Sequence, residues 1–264
     1  MHLQAKHVWI TGAAGALGQA LVRQCLAEGA RVSATDLNRS ACDALAQANK
    51  VVSAPCDITD AVAVETTYAA ITAQFGAVDV LINNAGITHF SPMRATALSV
   101  YDRVMRVNLF GALYCTKVCL ADIEGRNGAI FAISSAAGFG PLAERTGYSA
   151  SKHAMNGLFA SLATELPTAR VYVACPSFIR DDSGQKSSSS GAAAADGTAR
   201  PGADASKNHG KGMTADAAAS DILALLSKPS GIYPIGRVGR LAYGLQRLSP
   251  RLYARMMLRG MGRG

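Results

Sequence analysis

Tyr148 and Lys152 stand four residues apart in Tyr148-Ser-Ala-Ser-Lys152, with Ser134-Ser135 a short way upstream. On a helix this spacing places the phenol and the ammonium one turn apart on one face. A free phenol has a pKa of about 10 and is a poor base near neutrality. An adjacent ammonium stabilises the phenolate and lowers that value, so the pair can exchange a proton with an alcohol or a carbonyl. Tyr-x-x-x-Lys by itself occurs on many surface helices. Its chemistry therefore depends on what the rest of the chain places beside it.

A second constellation lies near the start. Thr11-Gly-Ala-Ala-Gly-Ala-Leu-Gly18 follows the apolar run at 7–11 and opens a helical pattern at 16–28. Glycines there let backbone approach a pyrophosphate, and a helix N-terminus offers free N–H groups and a positive dipole end. Asp36 ends the next apolar run, at the distance expected of a carboxylate that accepts hydrogen bonds from the adenosine ribose hydroxyls. A carboxylate there repels a 2′-phosphate, and the turn contains no Arg or Lys to attract one. Arg39 is the base nearest in sequence. These residues predict NAD as the cofactor, ahead of NADP.

The elements that must position these groups follow from the apolar periodicity. Strands are predicted at 7–11, 31–36, 50–54, 78–83, 129–134 and 170–175, the last stopped by Pro176. Helices are predicted at 16–28, 39–48, 60–75 with Asp57 or Thr59 near its start, 97–122, and 147–166 carrying the Tyr-Lys pair. A helix at 213–227 with Thr214 as cap and an edge strand at 231–235 close the domain. Apolar runs alternating with helices imply an α/β fold, a doubly wound parallel sheet with helices on both faces.

The motifs together resemble those of the short-chain dehydrogenase/reductase family, over roughly residues 5–180. Gly12, Gly15, Leu17 and Gly18 fall in the glycine turn of that family's Rossmann-type domain. Asp57-Ile58 matches the pair that contacts adenine, and Asn83-Asn84-Ala85-Gly86 the motif that ends strand four and supports the cofactor. Asn108, in Val107-Asn-Leu-Phe-Gly111, falls on the family's helix asparagine, and Ser135 lies thirteen residues before Tyr148, the family spacing for a catalytic serine. Pro176 to Ile179 resembles the segment bordering the nicotinamide. The resemblance implies that Tyr148 is the general acid/base, that Lys152 lowers its pKa and binds the nicotinamide ribose, that Ser135 hydrogen-bonds the reacting oxygen, and that Asn108 holds a relay water. The expected reaction interconverts a secondary alcohol and a ketone. The chain departs from the family at Ala16, at Ser177 and at Arg180-Asp181. A sugar-nucleotide epimerase would share the turn and the Tyr-Lys pair but would need a longer C-terminal substrate domain. A non-catalytic dinucleotide-binding protein would share the fold with a broken catalytic set.

Domain organisation is read from composition. Residues 1–236 form the catalytic domain, with a Ser/Ala/Gly-rich insert at 181–212 in the place of a substrate lid. Residues 237–264 form a tail. From 229 to 264 there are seven Arg and no acidic residue, so of the net charge of +8 only about +1 belongs to the rest. The basic character is local, which speaks against nucleic acid as a partner. Leu241, Leu245, Leu248, Leu252 and Met256 recur at helical spacing beside Arg247, Arg251, Arg255, Arg259 and Arg263. Ser249-Pro250 divides them into two helices, predicted to contact an anionic membrane surface or another subunit. Cys25, Cys42, Cys56, Cys115, Cys119 and Cys175 show no metal or disulfide spacing. With no secretory leader and no spanning helix expected, they predict free thiols in the cytoplasm. No metal is expected, and a homo-oligomer is. Phe139, Pro141 and Leu142 are expected to line an apolar pocket, His153 to be structural, and His89 to be loop surface or to face substrate.

Overall fold

His7–Thr11 (β1) is buried at all five positions, as a central parallel strand covered on both faces must be. Its side chains alternate between two cores: Val8 and Ile10 join one cluster, Trp9 the other. The Trp9 indole keeps its polar end satisfied by donating to Thr35 Oγ1 at 3.0 Å. The computed structural model describes residues 1–49, 51–180, 192–193 and 212–259. The further strands are β2 (Arg31–Asp36), β3 (Val52–Pro55), β4 (Val80–Asn83), β5 (Ala129–Ile133), β6 (Arg170–Pro176) and β7 (Gly231–Ile235). They pair in parallel in the order β7-β6-β5-β4-β1-β2-β3. Pro55 and Pro234 lie in the two edge strands, where a missing N–H breaks no ladder on the outer side.

Helices α1 (Ala16–Ala27) and α2 (Arg39–Asn49) cover one face, and α3 (Ala61–Phe75) covers the other. The helix predicted at 97–122 is broken in three. It consists of α4 (Leu98–Met105), a π-helical turn at Arg106–Gly111 and α5 (Ala112–Gly125). Such turns inside α-helices concentrate at functional sites, and this one carries Asn108. Leu98–Gly125 has a mean hydropathy of 1.3 in its most apolar stretch, long and apolar enough to cross a membrane by length and composition alone. Here Ala112, Cys115, Cys119 and Ile123 are buried in the core on the α3 side of the sheet. Helix α6 (Thr146–Glu165) packs Met155 and Phe159 into the same core, and α7 (Ala215–Leu223) closes the opposite face. Thr214 caps α7, accepting from Ala217 N. The cap of α3 is Asp60, accepting from Val62 N and Ala63 N, because Asp57 already holds the preceding turn through Thr59.

β4 begins at Val80 rather than at 78, and Asp79 immediately precedes it. Its buried carboxylate accepts from Lys6 Nζ, His7 N and Arg126 Nε, each at 2.9 Å. Burial opposes its charge, but these bonds hold its carboxyl below the usual range. One side chain thus locks the starts of β1 and β4 and the end of α5.

Two helices follow the sheet, α8 (Gly236–Leu248) and α9 (Pro250–Arg259), with Ser249 between them. They rest on the domain. Gly239 lies against the Cys175 carbonyl and Ser177, Tyr253 is buried against Gly140, and the Tyr243 and Phe139 rings meet edge to face at 5.0 Å. Phe139 therefore packs on α8, and Pro141 is exposed. The insert read as a lid lies outside the described residues except for Ala192–Ala193 and Gly212, as do Asp181 and Arg263. Its two roots are adjacent, since Ile179–Arg180 pairs in parallel with Met213–Thr214.

Candidate active site

The site forms along the carboxyl ends of β1, β4, β5 and β6. Strand order reverses between β1 and β4, the crevice where open α/β sheets bind ligands. There the glycine turn and the Asn-Asn-Ala-Gly turn are clamped together. Thr11 Oγ1 accepts from Asn84 N at 3.2 Å and Ala85 N at 3.1 Å, and Asn84 Nδ2 donates to the carbonyls of Thr11 and Gly12. Gly12 has φ +62°, and a Cβ on it would lie 2.6 Å from Ala85 Cα. Only glycine permits that approach. Gly18 is as constrained, since a Cβ would lie 2.3 Å from the Gly12 carbonyl oxygen.

Gly15 is the N-cap of α1 and has no side chain to cap it, which leaves the first-turn N–H groups to a ligand. A Cβ on Gly15 would meet only the Gly12 carbonyl, at 3.6 Å, so the space above the turn is open. Asp36 flanks this space. Its Oδ2 accepts from Ala14 N at 3.0 Å and its Oδ1 from Asn38 N at 3.2 Å, which fixes the carboxylate beside the turn. The uncapped helix, the open glycine and the fixed carboxylate fit a dinucleotide. Ile58 packs its buried side chain against Gly111 of the π-helical turn, tying the expected adenine wall to the Asn108 segment.

At the other end, α6 brings the expected catalytic groups to the end of β5. The two serines part company here. Ser134 is buried and donates to Asn156 Oδ1 at 2.5 Å, a structural bond. Ser135 caps the following turn, accepting from Ala137 N at 3.2 Å, and its hydroxyl is near enough to the Tyr148 phenol to lower that phenol's pKa. Lys152 is buried, with Nζ donating to the Ile133 carbonyl at 2.7 Å. Gly86 sits over the pair formed by Lys152 and Asn108. A Cβ there would be 3.5 Å from Nζ and 3.3 Å from Asn108 Oδ1.

Asn108 is buried and its amide is fully used. Oδ1 accepts from Ile87 N at 2.8 Å, while Nδ2 donates to the Ile87 carbonyl and to Ser151 Oγ. Ser151 in turn donates to the Tyr148 carbonyl at 2.8 Å. The side chain thus welds the π-helical turn to the loop after β4 and to α6.

The electrostatics differ from the simple pair logic. Lys152 Nζ stands 5.9 Å from the Tyr148 ring centroid. Burial raises the Tyr148 phenol above its ordinary value, and the Ser135 hydroxyl and the Arg145 guanidinium pull it back. Burial likewise lowers Lys152 to about 8. Desolvation therefore outweighs the ammonium expected to depress the phenol.

His89 is fully buried rather than on a loop surface. Its Nε2 accepts from Gly147 N at 3.0 Å, one residue before Tyr148, and so holds the start of α6. Arg145 is the residue near the site that the spacing arguments passed over. Its position three residues before Tyr148 was the available signal. His153 bonds the Ser149 carbonyl of its own helix and takes no part. All six cysteines are buried and free.

A doubly wound parallel sheet with a glycine turn at its switch point defines a dinucleotide-binding protein. The chain belongs to the short-chain dehydrogenase/reductase family: the family model described as short chain dehydrogenase matches residues 6–191. It is an oxidoreductase of that family. A dehydrogenase/reductase family 7-like protein of Drosophila melanogaster is 33% identical, covering 95% of this chain and 79% of its own. The D-threitol dehydrogenase of Mycolicibacterium smegmatis is also 33% identical, over 62% of this chain, and the match spans 65% of that relative's length. Among solved structures, a short-chain dehydrogenase of Burkholderia cenocepacia in complex with NADP shares the fold, with a TM-score of 0.81 at 21% identity, covering 98% of this chain and 99% of that one.

The buried histidine has a pH consequence. Burial first, then Arg145, lowers the pKa of His89, so the folded protein favours neutral imidazole, the form that accepts from Gly147. The resulting stability is present above the unfolded value of about 6.5 and is lost as pH falls through the folded value. His7, lowered by its own burial, acts in the same direction. The melting temperature is expected to fall between pH 7 and pH 5, and His89→Gln to flatten part of that slope in calorimetric scans.

Proposed function

We propose that this protein interconverts a secondary alcohol and a ketone with NAD, Tyr148 serving as general acid/base. The observation that carries the reading is Tyr148 and Lys152 one turn apart on α6, with Lys152 buried and its Nζ 5.9 Å from the Tyr148 ring centroid. A nicotinamide dinucleotide supplies the carbon that gives or takes the hydride. Gly12, Gly15, Leu17, Gly18 and Asp36 hold its adenosine and pyrophosphate, with Asp57 and Ile58 toward the adenine. Asn84, Ala85, Gly86, Pro176 and Ile179 border its other end, and Lys152 holds the ribose there. In reduction, Tyr148 gives its proton to the carbonyl oxygen while Ser135 donates a hydrogen bond to the same oxygen. In oxidation the alcohol proton returns to Tyr148. The Asn108 amide is engaged on both sides, so its part is to hold Ile87 and Ser151.

Tyr148→Phe is expected to lower kcat by 10²–10⁴-fold, the usual contribution of a general acid/base, with cofactor affinity near wild type by fluorescence titration. Activity within about tenfold of wild type removes Tyr148 from the mechanism.

The position of Asp36 supports NAD over NADP. The kcat/KM for NAD is expected to exceed that for NADP, and Asp36→Ala to narrow the gap by removing repulsion of the 2′-phosphate. A wild-type preference for NADP overturns this assignment.

The tail supports a peripheral contact with an anionic membrane surface. Arg237-Val238, Arg240-Leu241, Arg247-Leu248, Arg251-Leu252 and Arg255-Met256 are exposed pairs at helical spacing, with Leu241 75% and Leu248 89% exposed. The inner residues Gly239 and Tyr253 pack on the domain, leaving a basic and apolar outer face. The free thiols favour the cytoplasmic side of such a membrane. The protein is expected to sediment with phosphatidylserine vesicles at low salt, less so at physiological ionic strength, where screening acts over about 8 Å. The combination of Arg247→Gln, Arg251→Gln and Arg255→Gln abolishes the binding. No wild-type sedimentation at low salt ends the membrane reading, and loss of a homo-oligomer in the variant assigns the face to a subunit contact.

A further inference from the structure

Among the described residues, Arg145 is a cation without an anion. It stands at the N-cap of α6, three residues before Tyr148, and is half-buried. Its guanidinium carbon lies 3.7 Å from the centroid of the Phe90 ring. Phe90 follows His89 on the segment that leaves the Asn-Asn-Ala-Gly turn. No ion pair or side-chain hydrogen bond joins Arg145 to another described residue. Its charge is felt by Tyr148 and by His89, the residues at and behind the proton-transfer point.

Withdrawing a guanidinium from water without a counter-charge is costly. Stacking on an aromatic ring returns only part of that cost. Arg23, Arg106, Arg126 and Arg240 each meet an aspartate, whereas Arg145 meets an aromatic ring beside Tyr148. The Phe90 ring holds the guanidinium plane, which leaves its edge as a planar donor fork. That fork matches a carboxylate in two parallel hydrogen bonds.

We infer that Arg145 is a specificity residue that receives a carboxylate carried by the substrate, so that the favoured pair is an oxo acid and the matching hydroxy acid. Phe90 orients the fork and contacts the carbon chain beside it. The inference rests on the oxidoreductase reading above, and it names that site's substrate class.

The test uses the full chain with NAD and with NADP. Acetoacetate and 3-oxopentanoate are each compared with their methyl esters. Wild type is expected to favour the acid over its ester by at least about tenfold in kcat/KM, the lower range for a hydrogen bond to a charged group. The preference lies mainly in KM. Arg145→Gln collapses the acid-to-ester ratio toward one, while Arg145→Lys keeps part of it, with melting temperatures confirming that both variants fold. A wild-type ratio near one overturns the inference. So does an unchanged ratio in Arg145→Gln, including the case where only the alkaline limb of the pH profile moves, which would make Arg145 a tuner of Tyr148. Calorimetry with butyrate and butyramide on the cofactor-loaded protein gives a second readout that needs no turnover. Wild type binds butyrate and not the amide, and Arg145→Gln loses that binding with cofactor affinity retained. Failure of every ketone with both cofactors strikes the oxidoreductase reading, whereas equal behaviour of acid and amide strikes Arg145 alone.

Discussion

The rest of the site depends on two backbones approaching closer than any side chain allows. Gly12 and Ala85 are in contact across the reversal in strand order, with Thr11 and Asn84 exchanging hydrogen bonds around them. This contact joins the end of β1 to the end of β4. It fixes the glycine turn, and with it the uncapped start of α1 and the carboxylate of Asp36. It also fixes where the chain leaves β4, and so where Gly86, Ile87 and His89 meet Asn108 and the catalytic helix. A methyl group at residue 12 would strike the Ala85 backbone and separate the two halves of the site at their junction.

Burial sets the electrostatics of the proposed proton-transfer site. Asn108 and Lys152 are withdrawn from solvent and tied to main-chain groups, and the Tyr148 phenol is desolvated. The direct effect is to push phenol and ammonium toward their neutral forms. The remaining polar groups, Ser135 and Arg145, set how far the phenol is pulled back. The π-helical turn serves the same end. It loosens the helical bonding pattern at the point where Asn108 must reach both Ile87 and Ser151, and it brings Gly111 against Ile58. Cofactor wall and catalytic helix are thereby one packed unit.

The two last helices extend that unit rather than trail from it. Tyr253 fills the space over Gly140 and Tyr243 packs on Phe139, in the loop that follows Ser135. A surface bound by the outer face of α8 and α9 would thus lie one layer of side chains from the substrate end of the site. Gly239, Tyr243 and Tyr253 face inward and pack on the domain, and the basic charge stands on the outside.

The sequence alone determined the class of fold and most of the proposed cofactor cradle. Strand periodicity, the glycine turn and Asp36 are local patterns, and local patterns are legible because a turn, a strand end and a helix start are fixed by neighbours in the chain. Boundaries shifted by a residue or two, as at β4, which begins at Val80, and at α3, where Asp60 rather than Asp57 is the cap. Helical spacing correctly put Tyr148 and Lys152 on one face, but it could not give the sign of the phenol's shift. That sign depends on how much solvent the fold removes, a property of packing between distant segments. The same holds for His89, whose partner at Gly147 is 58 residues away, and for Asn108, whose helix gives no sign in its residues of the π-helical turn. Arg145 shows the division most plainly. Its place beside Tyr148 is written in the sequence, while its contact with Phe90, and the absence of an anion around it among the described residues, are decided only when the chain is folded.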